Sequence, residues 1–166
     1  VLKTLGSWWK EFKAQLNKQT EKPEPPLKRS QIQVFTDLNA LEDVLEWFEQ
    51  FNALPVTNEL WWQCQTALAE GFTNAVRHAH RNLPADTPID IEVTVLSHWF
   101  EMRIWDYGQP FDLQSKLKSI SQEKYNPLDR TSGRGILFMD QLTDELDYSR
   151  TPDSRNCLLL RKKLVN

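Results

Sequence analysis

Three short segments hold the side chains whose types and spacing could do chemistry. In the first, Glu70, Thr73, Asn74 and Arg77 share the polar side of a stretch whose apolar residues recur at three and four, with His78 slightly further round. Glu70 and Asn74 are four apart, so on a helix their side chains stand one above the other. Taken alone, the cluster is better explained as a solvated helix face, and His78 as a satisfied surface histidine. The second segment is Asp106-Tyr107-Gly108, at the end of an alternating stretch. A carboxylate at a strand end can accept a hydrogen bond from the amino group of a base, and a glycine lets a flat ligand approach the backbone. Asp and Gly are equally what a plain turn uses. The third is Thr131-Ser132-Gly133-Arg134-Gly135, ahead of an apolar-periodic run. Glycines before a helix start expose backbone N–H groups, and the helix dipole adds positive potential, which suits phosphate. The segment is neither a G-x-x-x-x-G-K-[ST] loop nor a dinucleotide fingerprint, and a lone Gly-x-Gly is a weak signal.

The surrounding elements must position these groups. A short strand is expected over 31–35, followed by a helix capped by Thr36 or Asp37 with the stripe Leu38, Leu41, Leu45 and Phe48. Thr57 then caps a long helix to about Arg81, whose core stripe runs through Leu60, Trp61, Cys64, Leu68, Gly71, Phe72 and Ala75. The period changes to two over 89–95 and 100–104, an antiparallel hairpin turning at Ser97-His98. A long polar stretch, 109–133, contains room for a short helix over 113–120; loops of that length are usually lids or disordered segments. A helix over 135–142 and a hairpin pairing 145–149 with 156–164 complete the order. That order places helices on one face of a largely antiparallel sheet.

Composition bounds what this can be. The chain has 166 residues, 40% hydrophobic and 26% charged, enough for one domain with a real core. Residues 1–30 hold seven Lys/Arg against three Glu, a net of +4, and the remainder holds 13 against 20 Asp/Glu, a net of −7. An acidic body argues against nucleic acid as the main partner. No run of apolar residues is long enough to span a membrane and no secretory pattern is visible, so a cytoplasmic address is expected. Cys64 and Cys157 belong to no Cys/His cluster and read as buried thiols. Leu2, Leu5, Trp8, Trp9, Phe12 and Leu16 form one side of a basic amphipathic helix, tied on by a Pro-rich linker over 21–30. That arm suits packing on its own domain or on a second copy; docking a partner or a membrane surface is the sharper alternative. The division is therefore an arm and linker, 1–30, and a body, 31–166.

The three segments, in this order and spacing, resemble the ATP site of the GHKL superfamily of histidine-kinase-like ATPases. Residues 70–79, reading Glu-Gly-Phe-Thr-Asn-Ala-Val-Arg-His-Ala, look like the N box of its small anti-sigma-factor serine/threonine kinase branch. Asp106-Tyr107-Gly108-Gln109-Pro110-Phe111-Asp112 looks like the first glycine box and Gly133-Arg134-Gly135-Ile136 like the second. Pro110 stands where the wider superfamily often has another glycine. The resemblance covers the body and implies an α/β fold of the α+β two-layer kind, the Bergerat-type ATP-binding sandwich, with two or three helices on a mixed, mostly antiparallel sheet.

It also implies roles. Asn74 would coordinate Mg²⁺, Asp106 would receive the adenine amino group and Gly108 would admit adenine. Gly133 and Gly135 would hold the phosphates, with Thr131 and Arg134 helping, and His78 falls in the cofactor-binding set as part of the N box. Glu70 would be the general base for a partner's serine hydroxyl. Residues 113–130 would be the ATP lid, with Lys116, Lys118, Lys124 and Arg130 near phosphate. The implied function is an ATP- and Mg²⁺-dependent serine/threonine protein kinase in a partner-switching system. Its partners would be a sigma factor, an anti-anti-sigma protein of the STAS type, or a second copy of the chain; neither nucleic acid nor a membrane is expected. The alternative is a non-catalytic ATP-binding docking module, against which Glu70 is the distinguishing residue.

Overall fold

The computed structural model of the chain describes residues 23–53, 55–122 and 133–164. The amphipathic arm lies outside the described residues. Five strands, β1 (Lys28–Phe35), β2 (Pro88–Val95), β3 (Trp99–Asp106), β4 (Glu145–Arg150) and β5 (Asn156–Lys163), form one sheet in the order β1-β2-β3-β5-β4. Every pairing is antiparallel, which sharpens the expected mixed sheet. β3 and β4 run the same way, but the closing hairpin inserts β5 between them, so no parallel pair forms among the described strands.

Helices α1 (Ala40–Phe48), α2 (Asn58–Asn74) and α4 (Arg134–Leu142) contribute to one core with the inward residues of the sheet, and α3 (Leu113–Gln122) adds Leu113 to it. The alternation in β2 and β3 turns Ile89, Ile91, Val93, Phe100, Met102 and Ile104 into that core. On the opposite face the alternate residues form a charged ladder, with Arg29 on Glu92 at 2.6 Å and Arg103 and Arg161 on Glu101 at 2.9 and 2.8 Å. One covered face and one polar face make the two-layer α+β sandwich expected from the residue pattern.

Three local departures are physical in origin. β1 begins three residues early, because Lys28, Arg29 and Ser30 pair with Val95, Thr94 and Val93, and ladder bonds need no apolar side chain. α1 is not capped by Thr36 or Asp37. Asn39 occupies the cap without a side-chain bond, while Asp37 accepts the Asn39 N–H at 2.9 Å. The long helix keeps α pitch only to Asn74; Ala75–Ala79 form a π turn, and the His80 N–H bonds the Ala75 carbonyl at 2.9 Å.

Thr57 does cap α2, its side chain accepting the Leu60 N–H at 3.3 Å. Thr57→Ala is expected to cost about 1 kcal/mol, lowering the melting temperature by roughly 2–4 °C in circular dichroism. The helix lies close on the sheet at Gly71, where a Cβ would come within 2.7 Å of Ile104 Cδ1 and 3.2 Å of Leu158 Cδ2. Cys64 and Cys157 are buried and unbridged, and burial pushes the Cys64 thiol up to about 12. Among the described residues, no helix is long and apolar enough to cross a membrane.

Candidate functional site

Alternation along β3 puts Asp106 on the inner face after Ile104, so a carboxylate sits 4% exposed at the end of a core strand. Burying it requires hydrogen bonds. Oδ1 accepts the Gly108 N–H and the Asn156 side-chain amide, each at 2.8 Å. Oδ2 faces the Tyr148 hydroxyl at 3.4 Å. One oxygen is therefore committed to the fold, while the other holds a single long bond. Asn156, fully buried at the start of β5, also donates to the Gly108 carbonyl at 2.9 Å, and its own oxygen accepts from Arg150 at 3.1 Å. Burial and the Asp106 carboxylate push the Tyr148 phenol well above its ordinary value, so it remains a donor.

Gly108 is where this turn meets the π turn. A Cβ there would lie 2.5 Å from the Ala79 carbonyl oxygen and 2.8 Å from its Cα, contacts that backbone cannot relieve. Gly108→Ala is expected to destabilise the protein by about 1–3 kcal/mol through overpacking, read as a lower urea midpoint with an unchanged slope.

Behind the turn lies His80, 2% exposed. Its Nε2 accepts the Tyr107 N–H at 2.8 Å, and its Nδ1 lies 2.7 Å from the Thr36 hydroxyl, which bonds the Thr87 carbonyl at 2.7 Å. Burial pushes the imidazole below its usual value, and the Asp106 carboxylate only partly offsets this. In a regular helix residue 80 would stand about 140° round from Ala75. The i→i+5 bond of the π turn instead closes His80 over the buried Ala75.

The start of α4 comes against the polar side of α2. A Cβ on Gly135 would fall 2.8 Å from Glu70 Oε2 and 3.3 Å from Asn74 Oδ1. Glu70, Asn74 and the first turn of α4 therefore share one small space. Gly133 precedes the helix at φ +90°, a left-handed conformation that favours glycine, and offers no side chain to cap the first N–H groups. Ile120 of α3 lies over it, since a Cβ on Gly133 would meet Ile120 Cδ1 at 2.5 Å.

The structure thus brings Glu70 and Asn74 against Gly135, with Gly133 two residues before it under Ile120, and links Gly108, beside Asp106, to Ala79 of the π turn that follows the same helix. His78 stands exposed on the π turn. Arg134 is exposed, its guanidinium 5.3 Å from the Phe138 ring centre on its own helix. Thr131, Lys124 and Arg130 lie outside the described residues, and of the expected lid only α3, with exposed Lys116 and Lys118, is described. Residue-by-residue reading missed Asn156, Tyr148 and His80. Asn156 and Tyr148 reach Asp106 only through strand pairing, and His80 is turned inward by the π turn, which no side-chain pattern announces.

Residues 35–162 match the family described as the histidine kinase-like ATPase domain. The chain is 32% identical over 85 residues to a protein named serine-protein kinase RsbW from Bacillus licheniformis, covering 48% of this chain and 52% of that one. It is 28% identical over 83 residues, with the same coverage, to the protein of that name from Listeria monocytogenes. The chain spans about half the length of the curated relatives it matches. The family match takes in all three segments, from the long helix with Glu70 and Asn74 to the strand that buries Asn156. The chain belongs to the histidine kinase-like ATPase domain family.

Proposed function

We propose that this chain binds ATP with Mg²⁺ and transfers the terminal phosphoryl group to a serine or threonine of a partner protein. The observation that carries the reading is the contact of Gly135 with Glu70 and Asn74, which sets a carboxylate and a carboxamide beside the first turn of one helix. Exposed N–H groups at a helix start suit phosphate oxygens, and Gly135 keeps a side chain out of the space beside Glu70 and Asn74. Asn74 offers an oxygen in the cradle that a Cβ on Gly135 would crowd, and oxygen donors suit Mg²⁺. Bound there, the ion would neutralise phosphate charge as it builds.

Asp106 Oδ2 is the acceptor proposed for the adenine amino group, and Gly108 the place where the ring approaches backbone. Glu70 is proposed as the general base. As the partner's hydroxyl oxygen bonds the γ-phosphorus and the bond to ADP breaks, the hydroxyl proton passes to the Glu70 carboxylate. Thr131, Arg134 and His78 are retained as proposed flanking contacts, with α3 as part of a lid over 113–130. The relatives named serine-protein kinase favour transfer to protein. On this reading the partners are a sigma factor and an anti-anti-sigma protein of the STAS type. Phosphorylation would add roughly −1.5 to −2 charge to the docking surface and release the partner. We assign the body to the chain from the start of β1 at Lys28 onward, with the residues before it as an arm that packs on protein.

The test is a single-turnover assay with γ-labelled ATP, Mg²⁺ and STAS-type candidate domains from the same genome, beside equilibrium ATP binding. Label on a partner serine or threonine supports the kinase. ATP binding that changes partner affinity without any transfer would make the chain a docking module instead.

A further inference from the structure

We infer that His80 is a positioning residue for nucleotide: as the neutral imidazole carrying its proton on Nδ1, it holds the Asp106-Tyr107-Gly108 turn in the form that accepts adenine. This rests on the adenine reading of that turn. The tautomer follows from which neighbours can only donate or only accept. The Tyr107 N–H can only donate, so Nε2 must present its lone pair across the 2.8 Å contact. The Thr87 carbonyl can only accept, so the Thr36 hydroxyl proton goes there, leaving the Thr36 oxygen to accept Nδ1–H. Each of these donors meets an acceptor, and the ring is 2% exposed, with no room to turn toward solvent.

The consequence lies on Asp106. Tyr107 separates Asp106 from Gly108, and the Gly108 N–H is one of the two donors on Asp106 Oδ1. Holding the Tyr107 N–H fixes the peptide plane between Asp106 and Tyr107, and the Gly108 N–H on Asp106 Oδ1 holds the next one, so together they set the direction in which Oδ2 points. Protonation of Nε2 would set N–H against N–H, and the turn would have to move. The groups around the ring are the Asp106 carboxylate from β3, the Tyr107 ring with its centre at 6.3 Å, and the Thr36 hydroxyl after β1. Burial, which lowers the imidazole, outweighs the opposing pull of the Asp106 carboxylate. The neutral form is lost as pH falls below the ordinary imidazole value near 6.5.

The test compares the wild-type chain with His80→Gln and His80→Asn, using a fluorescent ADP with Mg²⁺, titrated from about pH 8 to about pH 5.5 across the imidazole range. Gln carries its oxygen near the Nε2 position and does not titrate; Asn is one bond shorter, reaching toward Thr36 but not Tyr107. The wild type is expected to lose about tenfold more affinity on acidification than His80→Gln, whose profile reports the nucleotide's own phosphate titration. At the upper pH, His80→Gln should bind nearly as the wild type and His80→Asn about tenfold more weakly. Parallel pH profiles for wild type and Gln, or equal binding by Gln and Asn, would overturn the inference while leaving the ATP site standing. Should the variants not fold, the ring ¹⁵N spectrum of the wild type decides, since a proton on Nε2 at the upper pH overturns it. Absence of binding by the wild type at every pH would instead remove the ATP reading, and this inference with it.

Discussion

Glu70→Gln is expected to leave ATP affinity and partner binding as in the wild type, and to slow phosphate transfer by about 10²–10⁴-fold. The substitution keeps side-chain length and the contact with the start of α4, where Glu70 Oε2 lies 2.8 Å from the position of a Gly135 Cβ. It removes only the capacity to take a proton. Asn74→Ala should behave differently, since losing a metal ligand weakens Mg-ATP binding itself as well as turnover. A Glu70 that is only a solvated helix residue would give a Gln variant indistinguishable from wild type in every assay. Full transfer by Glu70→Gln, measured in single turnover, would remove the general-base assignment and leave the nucleotide site untouched.

The second large effect belongs to Asp106→Asn, expected to weaken ATP binding by about 5–150-fold. The surroundings dictate how the new amide would sit. Two donors, the Gly108 N–H and the Asn156 amide, converge on Oδ1, so the Asn oxygen must take that place. The NH₂ group is then turned to where Oδ2 stood, facing the Tyr148 hydroxyl and the proposed adenine amino group. A donor meets a donor, and the base loses its acceptor. Tyr148 can rotate its hydroxyl proton away and accept instead, so the fold should suffer much less than the affinity. Isothermal titration calorimetry beside a melting curve checks this. Unchanged affinity in a folded variant would take the adenine contact away from Asp106.

Much of the architecture was legible because side-chain periodicity is a direct consequence of burial. The three-four stripe through Leu60, Cys64, Leu68 and Phe72 needs a helix with one buried side, and the alternation of Ile89, Ile91 and Val93 needs a strand. Thr57 was readable as a cap because its hydroxyl acts on a backbone group three residues away. Where competition between distant groups decided, local reading failed. Thr36 has the chemistry of a helix cap, yet its hydroxyl is taken by Thr87 and His80, 51 and 44 residues on. Ser30 and its two neighbours look like linker, yet β2 supplies them with ladder partners.

The site divides the same way. By itself the sequence determined the order and types of the groups: Glu70 and Asn74 four apart on a helix, Asp106 and Gly108 ending a strand, Gly133 and Gly135 opening another helix. Spacing within one element is fixed by backbone geometry, so those relations needed no further information. Only the tertiary structure decided that Gly135 lies against Glu70 and Asn74, that Gly108 lies against Ala79, and that Asn156 and His80 clamp the two ends of the Asp106 turn. Each of these contacts joins residues 27 to 65 positions apart. They are set by the docking of α4 on α2, the insertion of β5 beside β3, and the π turn that brings His80 inward, all of which follow from packing of the whole core.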